Sequence, residues 1–114
     1  GNENIVLCLF FGLEDKKMLT EKVIMNEQEF SDNHYQFFGV PMVCTPAFRD
    51  AFGEDYALVA FAAQQMIAEK YPDKNWDYLQ TFSYKGISFW CIADADQKEH
   101  WKEEHITFLM PSDY

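Results

Sequence analysis

The chain has no apolar run near the roughly 18 residues that a membrane span requires. Its richest N-terminal stretch, Ile5 to Phe11, is far too short, so no membrane association is expected. Positive charge is also scarce. Nine Lys and Arg, with Arg49 the single arginine, face 19 Asp and Glu, for a formal net charge of −10. Proteins bind nucleic acid by neutralising phosphates with Lys and Arg, and a net negative field repels a polyanion. Direct nucleic-acid binding is therefore not expected. Glycine and proline occur only as isolated punctuation, with no Gly-rich phosphate loop, no Gly-x-Ser-x-Gly elbow and no Cys-x-x-Cys pair. These absences leave no foothold for a cofactor. No repeat, linker or low-complexity tract divides the chain, and residues 1–114 read as a single domain.

What is present favours folding. Apolar residues make up 48% of the chain and aromatic residues 18%, which excludes disorder on burial grounds. The acids are spread along the chain without a long acidic run. Such a charge gives solubility, and it also suits a basic protein partner, up to mimicry of DNA by an inhibitor of a DNA-binding protein. The three cysteines, Cys8, Cys44 and Cys91, are odd in number and sit in apolar surroundings (VLCLF, MVCTP, FWCIA). They read as buried free thiols, which points to a cytoplasmic protein. Gly1 stands where an initiator Met is expected, so a trimmed secreted protein or an excised domain fits the same start.

Along the chain, Ile5–Phe11 predicts a buried strand closed by Gly12. Lys22–Met25 suggests a short strand, and Asn26 with Glu29 three residues on suggests a cap opening a helix over 27–32. His34–Cys44 is aromatic and β-branched but broken by Gly39 and Pro41, so an edge strand or extended segment is expected. Thr45-Pro46 pairs an N-cap residue with proline at the first helical position. The helix it opens has Phe48, Ala51 and Phe52 on one face and Gly53 as its stop. A second helix, begun at Glu54-Asp55 and apolar almost all round through Ala68, reads as the core helix, ended by Lys70 and Pro72. From Trp76 the apolar period falls to two. Lys85-Gly86 makes a tight turn, Ile87–Ala93 a more buried strand, and Ile106–Met110 a third. The expected fold is α+β: a three-stranded antiparallel C-terminal meander packed on a long apolar helix, with an added N-terminal strand.

Residues 77–80 (Asp-Tyr-Leu-Gln) with Phe82, then Trp90, Ile92 and Asp94, then Thr107, Leu109, Pro111 and Tyr114, resemble a family of small uncharacterised proteins of Gram-positive bacteria, their phages and conjugative elements. The likeness covers roughly Thr45 to Tyr114, and its motifs are strand-packing patterns. Pro46-Ala47 stands where that family would have Arg-Gly. The family has no assigned activity, so no functional residue carries over. The resemblance implies a bacterial accessory protein of a mobile element.

Three groups of residues are candidate sites. The segment 93–105, ADADQKEHWKEEH, concentrates acids and two histidines. It fails the calcium-loop pattern, because Lys98, Glu99 and His105 fall where a ligand, glycine and acid are needed. It fails the zinc-protease pattern, because the two histidines are five apart rather than four. On a helical turn His100 and Glu104 would share a face, and with His105 they are the metal candidates of a small metal-dependent hydrolase. The same spacing also gives an ordinary surface pair, and a solvated connection between strands is the favoured reading. Cys44, just ahead of a helix N-cap, is the candidate nucleophile of a cysteine hydrolase, although a base such as His34 would have to arrive through the fold. Tyr35, Phe37 and Phe38 are interface candidates, with a core role as the alternative. With no complete catalytic constellation in view, the leading expectation is a small acidic protein-binding adaptor or regulator that is not an enzyme.

Overall fold

A computed structural model describes residues 6–7, 19–29, 35–93 and 105–114, the first pair as backbone alone. It is α+β, with one mixed sheet and a helical stretch packed on it. The strands are β1 (Val6–Leu7), β2 (Ile24–Met25), β3 (Met42–Cys44), β4 (Leu79–Tyr84), β5 (Ile87–Ala93) and β6 (Ile106–Leu109). The helices are α1 (Pro46–Phe52) and α2 (Tyr56–Lys70), joined by the 3-10 turn Gly53–Asp55, and a second 3-10 turn follows at Pro111–Asp113. Their order across the sheet is β1-β3-β6-β5-β4-β2. Only β3 and β6 run parallel; the other neighbours are antiparallel. The sheet thus extends beyond the three C-terminal strands on both sides.

The local signals explain the helices. Thr45 is extended (φ −75°, ψ 159°), and its hydroxyl accepts from the Phe48 N–H at 3.2 Å. That bond satisfies one orphan donor, while Pro46 has no N–H to satisfy. Gly53 ends α1 at φ 60°, where a Cβ would be strained, and its N–H donates to the Arg49 carbonyl. The acids Glu54 and Asp55 lie in the intervening 3-10 turn, so α2 itself starts at Tyr56.

Helix α2 buries Val59, Ala60, Ala63 and Ile67 against the sheet. Small alanines let the helix approach a layer of rings contributed by α1 and the strands: Phe48, Phe82, Phe89 and Phe108 are all wholly buried. Phe89 sits at the centre, with ring centroids 5.2–6.3 Å from Phe82, Phe48, Phe52 and Phe108. Aromatic pairs in this range add roughly 0.5–1.5 kcal/mol beyond simple burial. Period-two burial in β4, with Gln80, Phe82 and Tyr84 inward, leaves Leu79, Thr81 and Ser83 on the opposite face. The hairpin that follows turns at Lys85 (φ 53°) and Gly86 (φ 79°), the paired positive φ values of a primed two-residue turn.

Two expectations are corrected. Asn26–Glu29 does not open a helix. Asn26 instead continues the pairing of β2, donating from its N–H to the Thr81 carbonyl at 2.9 Å and from Nδ2 to the Thr81 hydroxyl at 3.1 Å. Nor is the end of His34–Cys44 an edge strand, because β3 lies between β1 and β6. Gly39 and Pro41 precede its paired residues, so neither interrupts the ladder.

Candidate functional site

Both helices lie over the inward side of the sheet. The opposite side carries Leu79 and Thr81 of β4, Trp90 and Ile92 of β5, Thr107 of β6 and Val43 of β3, all half-buried. Register sets these residues in cross-strand rows: Leu79 faces Ile92, Ile92 faces Thr107, and Thr107 faces Val43. Among the described residues this side is met by the C-terminal turn, whose Tyr114 ring stands edge-on to Trp90 at 5.3 Å while remaining 73% exposed. The Tyr114 hydroxyl is 3.5 Å from that of Tyr78, and the Tyr78 ring makes an edge contact with Tyr35 at 6.1 Å. Four aromatic side chains therefore form a connected strip from the sheet face to its β4 edge.

Tyr78 titrates above the usual phenol range. The hydrogen bond with Tyr114 contributes most, followed by partial desolvation, then the charges of Tyr114, Asp77 and Glu29. These carboxylates belong to a notch of about 150 Å³ bordered by Glu27, Glu29, Asp77, Tyr78, Leu79 and Thr81. Glu27 also approaches Lys70, at 3.8 Å.

Beneath the notch the side chain of Gln28 turns inward. Its Oε1 accepts from the Asp77 N–H at 3.0 Å and from Gln80 Nε2 at 2.7 Å, and its Nε2 donates to the Asn75 carbonyl at 2.8 Å. Its own N–H donates to the Tyr71 hydroxyl at 2.9 Å. Gln28 thus spends its backbone N–H on Tyr71 and its side chain on the loop before β4 and on Gln80, rather than on backbone pairing with that strand. Gln80, wholly buried, keeps its Oε1 without a partner among the described residues. A larger, more open groove of about 360 Å³ lies between α2 and the residues before β2, bordered by Leu19, Val23, Ala62 and Met66.

The structure rearranges the sequence candidates. Cys44 is wholly buried and disulfide-bonded, so its sulfur is no nucleophile in this state. The assignment of free thiols holds for Cys91, which is free and buried. Burial raises the Cys91 thiol well above its ordinary pKa by disfavouring the thiolate. Cys8, His34, His100 and Glu104 lie outside the described residues. His105 is half-buried beside β6, and among the described residues no cluster of His, Cys, Asp and Glu forms a metal-binding group.

Phe37 is wholly buried, 6.2 Å from Trp76, and its carbonyl accepts from Gln64 Nε2 at 2.7 Å. It is a core residue and not a contact anchor. Phe38 packs half-buried on the same Trp76 at 5.2 Å. Tyr35 alone of the three joins the outer strip, through Tyr78. Sequence reasoning missed Tyr78, Trp90 and Tyr114 as a group, although the period-two alternation that puts Trp90 opposite Phe89 was the available signal.

No protein-family model, curated protein or solved structure matches the chain.

Proposed function

We propose that this is a small acidic protein-binding adaptor or regulator, and that it engages its partner through the outer face of the sheet. The observation that carries the reading is the Tyr35–Tyr78–Tyr114–Trp90 strip, continuous with the Leu79–Ile92 row and with no helix over it among the described residues. Tyr114 is exposed and the other three are half-buried, and accessible Tyr and Trp beside aliphatic residues are the side chains that dominate binding energy at protein interfaces. The disulfide at Cys44 withdraws support from a cysteine hydrolase, and it favours an oxidising compartment over the reducing cytoplasm inferred from cysteine spacing. The likeness of Thr45–Tyr114 to small proteins of mobile elements supports an accessory role.

The test is affinity capture with the immobilised protein, comparing wild type with Tyr114→Ala and Leu79→Ser. The control is Ile87→Ser, at the hairpin end and 37% exposed. A stoichiometric protein partner lost with the first two variants and kept with the control supports the reading. Capture that is indifferent to both strip variants refutes it.

A further inference from the structure

The outer strip ends at a gap in the sheet edge. Pairing of β2 with β4 stops at Asn26 and Thr81, because Gln28, which the same register would set against Leu79, directs its N–H to Tyr71 and its side chain to Asp77 and Gln80. Ala93 N–H donates to the Tyr78 carbonyl at 2.9 Å, so Tyr78 bonds toward β5. By the alternation of an antiparallel ladder, the Leu79 N–H and C=O point the other way, to the edge. They have no backbone partner there among the described residues, and Leu79 borders the notch.

We infer that this gap receives an extended basic segment of another protein, which adds main-chain hydrogen bonds at Leu79 and sets a Lys or Arg against Glu27, Glu29 and the Tyr78 ring. The inference rests on the protein-binding reading above and supplies the chemistry of the partner. An unpaired edge amide and carbonyl favour an extended backbone as ligand. Carboxylates flanking an aromatic ring select a cation, by charge and by cation–π attraction. Charge also excludes the competing occupants: at −10, a second copy of this chain is repelled, as is a nucleic acid. With a period of two, a cation in the notch leaves the next outward side chain of the bound segment over Leu79, Ile92 and Trp90, where an apolar residue fits.

The experiment is an amide NMR titration with acetyl-Val-Lys-Val-Lys-Val-amide, its glutamate counterpart and a lysine peptide N-methylated at its central amide, at low and high salt. The expected result is displacement of the Leu79 and Thr81 amides and the Trp90 indole N–H by the lysine peptide alone. Binding should weaken about tenfold or more with Glu27→Gln plus Glu29→Gln, with N-methylation and with salt. Those two side chains are exposed, so the variant leaves the core untouched. Equal binding of the glutamate peptide, displacements confined to the groove beside Met66, or no displacement at all would overturn the inference. If strip-dependent capture of a partner persists in that case, the protein-binding reading survives and only the basic-segment assignment falls.

Discussion

Gln80 Nε2 lies 2.7 Å from Gln28 Oε1, joining the start of β4 to the residue where its neighbour turns away. The same Gln28 oxygen holds the Asp77 N–H. The Asp77 N–H and one hydrogen of the Gln80 amide depend on that one part-buried acceptor, while Gln80 Nε2 also donates to the Asp77 carbonyl at 3.1 Å. Gln28→Ala should therefore cost about 1–3 kcal/mol, the range for leaving a buried donor without its acceptor. In urea unfolding the midpoint should fall while the slope stays constant. A loss below about 0.5 kcal/mol would mean that water replaces the amide.

Thr45 performs two tasks with one hydroxyl. Its oxygen accepts from the Phe48 N–H at the start of α1 and donates its proton to Asp113 Oδ2 at 2.7 Å, while that carboxylate also accepts from the Met110 N–H at 2.9 Å. The cap of the first helix is thereby tied to the turn that carries Tyr114. Thr45→Val keeps the shape and removes both bonds, for an expected loss of about 1–2 kcal/mol. Thr45→Ser should recover most of it. Because the C-terminal turn loses a tether, the Tyr114 side chain should also lose order relative to Trp90, which NMR contacts between the two rings would report.

How far the sequence foretold these arrangements depends on where the determining contacts lie. Thr45-Pro46, Gly53 and Lys85-Gly86 act within their own turns, and each does in the structure what its chemistry requires. The period-two run after Trp76 likewise separates inward Phe82 and Tyr84 from outward Leu79 and Thr81. Asn26 misleads because the partner that decides its fate, Thr81, is remote in sequence, and a local capping pattern has no access to it. Phe37 misleads for a related reason. An aromatic residue in a polar-flanked stretch reads equally as surface or core, and only the docking of 35–40 on Trp76 and Gln64 decides. The outer strip was legible residue by residue but not as a unit, since only the docking of the C-terminal turn on the sheet face brings Tyr78, Trp90 and Tyr114 together.

The disulfide at Cys44 makes stability depend on redox state. Cys44 pairs in register with Val6 on one side and Phe108 on the other, so it anchors the strand that joins β1 to the rest of the sheet. Reduction should lower unfolding stability by about 2–4 kcal/mol. Urea curves with and without reductant measure this directly, and Cys44→Ala should remove the difference between them. An unchanged midpoint on reduction would contradict a structural role for the bond.

Cys91 gives stability a pH dependence of predictable sign. Its thiol is wholly buried, and burial alone raises its pKa well above the ordinary value. In the unfolded chain the same thiol ionises near pH 8.5. Below that pH both states keep the proton, and the group contributes no difference. Above it the unfolded chain releases a proton that the folded chain retains, so unfolding becomes easier as pH rises. The slope approaches about 1.4 kcal/mol per pH unit for one proton. Tyr78, also raised, acts in the same direction but only above roughly pH 10, where a free phenol ionises. Among the described residues, the fall between roughly pH 8.5 and 10 is therefore assigned to the thiol. Unfolding free energies of wild type and Cys91→Ala across this window separate it from every other group, because the cavity left by the substitution costs the same at each pH. The difference between the two proteins should shrink steadily as pH rises. A difference independent of pH would mean that Cys91 ionises as readily in the folded protein as in the unfolded chain.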